Sequence, residues 1–232
     1  MASRFRQEAR AAAGFAHPNV VRVYDFGLDR HHRPFLVMEL LEGETLRQRL
    51  SSRRPPGAAE ALHILRGVCS AVSAAHSQGL VHRDLKPENI FLQRHPSGVV
   101  PKVLDFGLAK TFDAHRSFGR STAKGTSAGL LVGTLEYMAP EQVAGDDVDP
   151  GWDIWALGVI TYEMLAGRHP FRRKVAFAGD ETAAEFVADG AAEGEKLSGA
   201  VTALLDTSLS TDPAARPRDA LDFLAACERL LV

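Results

Sequence analysis

The residues of this chain best suited to chemistry stand in one run, His82-Arg83-Asp84-Leu85-Lys86-Pro87-Glu88-Asn89, directly after a helical pattern and before an apolar strand. It brings a carboxylate, an ammonium and a carboxamide together. A further carboxylate, in Asp105-Phe106-Gly107, follows Asn89 by sixteen residues, after the extended pair Val103-Leu104. Alone, an Asp-x-Gly string reads as a turn. Its place after the first run sets it apart from an ordinary turn. Later, Gly133-Thr134-Leu135-Glu136-Tyr137-Met138 leads into Ala139-Pro140-Glu141.

Together these strings resemble the eukaryotic-like (bacterial-type) serine/threonine protein kinase domain. The family's catalytic loop carries histidine, arginine and aspartate with an asparagine five places after the aspartate, and this sequence matches each position. Phosphoryl transfer passes through a loose transition state, so the site mainly needs an oriented hydroxyl and countered charge. The resemblance implies that Asp84 accepts and aligns the substrate hydroxyl, Lys86 steadies the γ-phosphate, and Asn89 and Asp105 hold magnesium. Thr134 would bond Asp84 and Lys86, and Lys86 with that threonine segment indicates a serine/threonine rather than a tyrosine kinase. His82, Phe106 and Gly107 carry over as structural positions. Glu141 is expected to pair with Arg216, and Asp153 to anchor the catalytic-loop backbone. The implied cofactors are ATP and Mg2+, and the implied partner is a protein bearing Ser or Thr.

Upstream, Phe35 to Gly43 resembles the last strand of the small lobe and the hinge. Met38 would be the gatekeeper, Glu39 and Leu41 would offer backbone groups to adenine, and Phe91 and Lys86 would also meet the nucleotide. Glu8, ahead of Ala11-Ala12-Ala13 and His17-Pro18-Asn19-Val20, resembles the regulatory αC glutamate. Arg83 occupies the family position associated with control by a phosphorylated loop. The stretch from Thr111 to Val132 is rich in Ser, Thr, Gly and Lys with little periodicity, and a loop that long calls for a function. A phosphate on it would supply charge and acceptors for basic side chains. Thr126 or Ser127 is the expected site, ahead of Ser117, Ser121 and Thr122, with self-association as a route to autophosphorylation.

These residues need elements to hold them. Good helix formers fill Arg4 to Ala13, and Val20 to Phe26 and Phe35 to Leu40 read as a hairpin joined by Gly27 to Pro34. Two strands alone are marginal. Leu62, Leu65, Cys69, Val72 and His76 recur at helical steps up to Gly79, and Ile90 to Leu92 and Val99 to Leu104 are short extended runs. Asp153 to Ala166 is apolar nearly all round, as a helix buried on every side would be. A last helix carries Leu221 and Leu224 after Pro217, while Phe171 to Glu181 and Gly190 to Glu195 read as connections. The expected fold is α+β, protein-kinase-like and two-lobed. Residues 1–41 would form an incomplete N-terminal lobe of αC helix, two strands and hinge, and residues 42–232 a mostly helical C-terminal lobe.

Composition excludes other classes. With 27 basic and 29 acidic residues among 232, the net charge of −2 gives no field to capture nucleic acid or an anionic membrane. No apolar run approaches the roughly 20 residues that span a bilayer. The two cysteines, Cys69 and Cys227, sit in helical patterns, which suits buried thiols in a reducing, cytoplasmic setting. His31 and His32 lack ligand partners at useful spacing, so no metal is expected there.

In the family, the αC glutamate pairs with a lysine on the preceding strand, and a Gly-rich loop lies earlier still. Glu8 stands only eight residues from the start, so the expected reading is a domain truncated before those parts, with phosphate transfer impaired. The alternative is a catalytically inactive scaffold or regulatory binding module. A small-molecule phosphotransferase would explain His82 and the two aspartates, but not Lys86, Thr134 or Ala139-Pro140-Glu141.

Overall fold

The structure is a computed structural model, and it describes residues 14–31, 33–52, 55–106, 136–171 and 199–231. The helix expected over Arg4 to Ala13, the loop from Thr111 to Val132 and nearly all of the two connections after Phe171 lie outside the described residues.

β-branched and aromatic residues build the first hairpin. Strand β1 (Val23–Leu28) runs antiparallel to β2 (Pro34–Met38), with Val23 opposite Met38 and Leu28 opposite Pro34. The turn is closed by Asp29, whose carboxylate accepts the N–H groups of His31 at 2.8 Å and Arg33 at 2.9 Å. The strand expected from Val20 starts later because its first residues are engaged elsewhere. Val21 donates its N–H to the Val103 carbonyl at 2.9 Å, and Val103 donates to the Asn19 carbonyl at 2.8 Å. β2 stops short of Leu40, although the Glu39 N–H still donates in register to the Arg22 carbonyl at 2.9 Å. Tyr24, Leu28, Phe35 and Val37 of this hairpin remain exposed.

A second antiparallel sheet has the order β3 (Gly43–Thr45), β4 (Ile90–His95), β5 (Gly98–Val103). The two short extended runs are thus one hairpin, turning at Gly98, whose φ of +122° favours glycine. Period-two alternation puts Ile90 and Leu92 in the core and leaves Phe91 on the other face, opposite Thr45 on one side and Lys102 on the other. The short helix α1 (Leu46–Leu50) starts at a capping box: Thr45 Oγ1 accepts the Gln48 N–H at 3.2 Å, and Gln48 Oε1 accepts the Thr45 N–H at 2.8 Å.

The body is helical. Helix α2 (Ala58–His76) buries Leu62, Leu65, Cys69 and Val72, together with Ile64, Val68, Ala71 and Ala75. It begins one turn before the apolar pattern does, because Ala58 and Glu60 are good helix formers on its outer side. After the one-turn-plus helix α3 (Pro140–Ala144) comes α4 (Gly151–Ala166), buried from Trp152 through Met164 as its sequence implied. It packs against α2 and α5 (Gly199–Ser208), and α6 (Ala220–Leu231) covers α2 with Phe223 and Cys227. Gly158 lets α4 and α5 approach: a Cβ there would meet Ser208 Cβ at 3.0 Å and Leu209 Cδ2 at 3.2 Å. Each large apolar side chain fully buried in this core contributes about 1.5–3 kcal/mol. Among the described residues, no helix is long and apolar enough to cross a membrane.

One buried ion pair ties α3 to the chain before α6. Arg216, its side chain 1% exposed, donates to Glu141 Oε1 at 2.6 Å and Oε2 at 2.9 Å. Its remaining N–H groups reach the carbonyls of Ser210 at 2.9 Å and Gly151 at 3.1 Å, and its guanidinium lies 5.1 Å over the Trp155 ring. Removing one partner of such a pair strands the other charge in a water-poor place. Arg216→Met is therefore expected to destabilise the protein by about 3 kcal/mol, read as a lower midpoint in urea, and more than Arg216→Met combined with Glu141→Leu.

Candidate active site

The loop from His82 to Asn89 is shaped from beneath by one carboxylate. Asp153, at the start of α4 and 1% exposed, accepts the His82 N–H at 2.9 Å through Oδ2 and the Arg83 N–H at 3.0 Å through Oδ1. His76, on the last turn of α2, adds Nε2 to Oδ2 at 2.7 Å. Held in this way, Arg83 adopts φ +68°, a left-handed backbone that a side-chain-bearing residue enters only at a cost. The Arg83 carbonyl is then available to α3, whose Gln142 Nε2 donates to it at 2.7 Å.

His82 braces the loop on its other side. Its Nε2 meets the Leu104 carbonyl at 2.8 Å while Nδ1 accepts the Asp84 N–H at 3.3 Å, which assigns the ring proton to Nε2. The His82 ring stands edge-on to Phe106 with centroids 4.8 Å apart, and Phe106 meets Phe15 at 5.5 Å. Phe106 is buried, so packing helps to fix the turn after β5.

Three of the expected residues converge. Lys86 Nζ lies 2.8 Å from Asp84 Oδ2 and 3.1 Å from Oδ1. Asn89 Nδ2 donates to the Asp84 carbonyl at 2.8 Å and to Asp84 Oδ2 at 3.1 Å. Asn89 is placed by its own main chain, whose carbonyl accepts the Leu104 N–H at 2.8 Å. That same bond sets Asp105 one residue beyond. Asp105, at φ +54°, accepts no hydrogen bond among the described residues. Burial pushes its pKa above the usual carboxylate range, and the neighbouring Asp84 adds to the effect against partial relief from His82 and Lys86. A half-buried carboxylate with no donor among the described residues, next to another carboxylate, is an electrostatic site that a hard cation would satisfy. Asn89, with both amide contacts made through its nitrogen, keeps a carbonyl oxygen for the same use.

Around the expected hinge, Met38 is partly exposed, Leu41 and Phe91 are half-buried, and Glu39 is held by its side chain. Its carboxylate accepts from Lys102 Nζ at 2.9 Å and from the Arg22 N–H at 2.8 Å. Glu8, Gly107, Thr126, Ser127 and Thr134 lie outside the described residues, so the bond expected from Thr134 to Asp84 and Lys86 does too.

One cluster went unread in the sequence. Arg47 of α1 donates to Glu88 at 2.8 Å, to Glu163 of α4 at 2.5 Å and to the hydroxyl of Tyr137. Tyr137 in turn donates to Glu163 Oε2 at 2.5 Å, and burial followed by the Glu163 charge pushes its pKa up. The cluster links the loop that carries Lys86 and Asn89 to the segment before Pro140. Its one legible signal was Glu163, an acid near the end of a mostly apolar helix.

Comparison with known proteins agrees with this geometry. The family model for the protein kinase domain matches residues 1–226. The serine/threonine-protein kinase Pkn1 of Myxococcus xanthus is 47% identical over 173 residues, which cover 74% of this chain and 23% of that protein. PknL of Mycobacterium tuberculosis is 46% identical over 169 residues, 73% of this chain and 39% of its own length. A third relative, pkn3 of Myxococcus xanthus, is 39% identical over 230 residues, 96% of this chain and 41% of that protein. The chain thus spans less than half the length of these curated relatives. Among solved structures, the Mycobacterium tuberculosis PknI kinase domain superposes with a TM-score of 0.71 at 26% identity, covering 98% of this chain and 78% of that one. With its α+β two-lobed fold and its matched loop, the chain belongs to the protein kinase domain family, among relatives that are serine/threonine kinases.

Proposed function

We propose that this protein transfers the γ-phosphate of ATP to a Ser or Thr hydroxyl of a protein substrate. The observation that carries the reading is the convergence of Lys86 and Asn89 on Asp84 beside the half-buried carboxylate of Asp105, whose pKa burial raises. In this reading residues 1–41 serve as the small lobe and 42–232 as the catalytic lobe. Met38, Glu39 and Leu41 line the adenine slot over Phe91.

The substrate oxygen forms a bond to the γ-phosphorus as the bond to the bridging oxygen breaks, and that electron pair leaves on ADP. Asp84 orients the hydroxyl and takes its proton. Lys86, already at hydrogen-bond distance from Asp84, supplies positive charge to the transferring group, with Thr134 assisting both. Asn89 and Asp105 would hold magnesium, which contributes countercharge to the phosphates. Such a reaction asks mostly for positioning and electrostatic stabilisation, and the braces from Asp153, His82 and Leu104 provide the first. The buried thiols Cys69 and Cys227 suit a reducing, cytoplasmic setting. Regulation through Arg83 and a phosphate on Thr126 or Ser127, added by a second copy, belongs to the same reading, as does Glu8.

Three measurements bear on it. Purified protein incubated with radiolabelled ATP and a general protein substrate should transfer phosphate to Ser or Thr. Asp84→Asn should lower the rate by at least about a hundredfold, the usual scale of a lost general base. Transfer unaffected by this change, or no binding of Mg-ATP at all, would sink the proposal in favour of a binding module. For the metal, Asp105→Asn removes a carboxylate whose folded-state pKa is raised, so the ionised form costs stability as pH rises through that pKa. The variant should therefore melt higher than the unaltered chain at pH 7 in chelator, gain less at pH 4, and lose the stabilisation that Mg-ATP gives. For the loop, mass spectrometry of the active protein should find phosphate at Thr126 or Ser127. An active protein unmodified from Thr111 to Val132 would remove the regulatory part of the reading.

A further inference from the structure

We infer that Lys102 is a positioning residue for nucleotide binding: by holding the Glu39 carboxylate it sets the direction of the hinge backbone beside the adenine slot. The inference rests on the kinase reading and names the side chain that fixes the hinge of that same site.

Lys102 stands on β5 directly opposite Phe91 of β4, so the two side chains share one face of the hairpin. Phe91 is the residue proposed beneath the base. From that face Lys102 Nζ crosses to Glu39 Oε1 at 2.9 Å, with side chains only 12% and 20% exposed. A pair so far withdrawn from water is screened less than a surface pair and fixes geometry more firmly. The same oxygen accepts the Arg22 N–H at 2.8 Å, while the Glu39 N–H donates to the Arg22 carbonyl at 2.9 Å. Glu39 is therefore clamped by both its side chain and its main chain. Burial opposes its ionisation, but the hydrogen bonds from Lys102 and Arg22 outweigh that and hold its pKa below the ordinary value. With the N–H engaged, its carbonyl is the group left for a ligand, and among the described residues that carbonyl accepts no hydrogen bond.

Lys102 is not needed merely to attach β1 to β5. That attachment is already made by the Val20–Val103 bridge, by the backbone bonds of Asn19 and Val21 to Val103, and by Asn19 Nδ2 to the Pro101 carbonyl at 2.9 Å. What Lys102 adds is the charged partner of the hinge carboxylate, beside the Arg22 N–H.

The test is calorimetric titration of the full chain with adenosine and, separately, with magnesium tripolyphosphate, alongside thermal denaturation. Lys102→Met should weaken adenosine about tenfold, the scale of one charge-assisted hydrogen bond, and leave tripolyphosphate unchanged. Lys102→Arg should recover most of the loss, and Glu39→Gln should add little to Lys102→Met. Equal adenosine affinity in Lys102→Met overturns the inference while leaving the kinase reading intact. So does a parallel loss of both ligands with a collapsed melting temperature, which marks a purely structural role. An unaltered chain that binds no adenosine overturns both.

Discussion

Everything at the site hangs on the Asp153 carboxylate. A charged group 1% exposed must be met by donors or it costs several kcal/mol, and here the donors are two consecutive backbone amides of the His82–Asn89 loop plus the His76 ring. The need to satisfy that charge is what bends the loop. It draws the His82 and Arg83 amides downward, forces Arg83 into a left-handed backbone, and leaves Asp84 facing outward with Lys86 and Asn89 upon it. Helix α4 can carry such a charge because the rest of it is packed from Trp152 to Met164 and cannot shift to let water in.

The same helix organises what surrounds the loop. Its Trp155 supports Arg216, which holds Glu141 and so the start of α3, and α3 answers by capping the Arg83 carbonyl through Gln142. Two turns after Trp155, Glu163 receives Arg47 and Tyr137, and Arg47 returns to the loop through Glu88. The loop is thus held from below by Asp153, from the side by His82 on Leu104, and at its far end by Glu88. Each brace uses a different element, so a change in any one reaches Asp84 through a different path.

Much of this was readable in residue types and spacing. Leu62, Leu65, Cys69 and Val72 announced the buried face of α2, and the apolar run after Asp153 announced α4, because burial is imposed by local periodicity. The strings around Asp84, Asp105 and Glu141 pointed to the family without any contact being known. The strand start at Val20 was misjudged because propensity speaks for the residue itself, whereas the ladder depends on which partner takes its N–H: Val21 gave its own to Val103.

By itself, then, the sequence determined the elements and the family, since those follow from side-chain chemistry and from periods of two and 3.6 residues. Apart from Glu141 with Arg216, which the family resemblance had already paired, tertiary structure decided which charges meet. Arg47 is 116 positions from Glu163, and Lys102 is 63 positions from Glu39. No local pattern links such pairs. They are set by where the fold brings Arg47 beside Glu163 and the hinge beside β5.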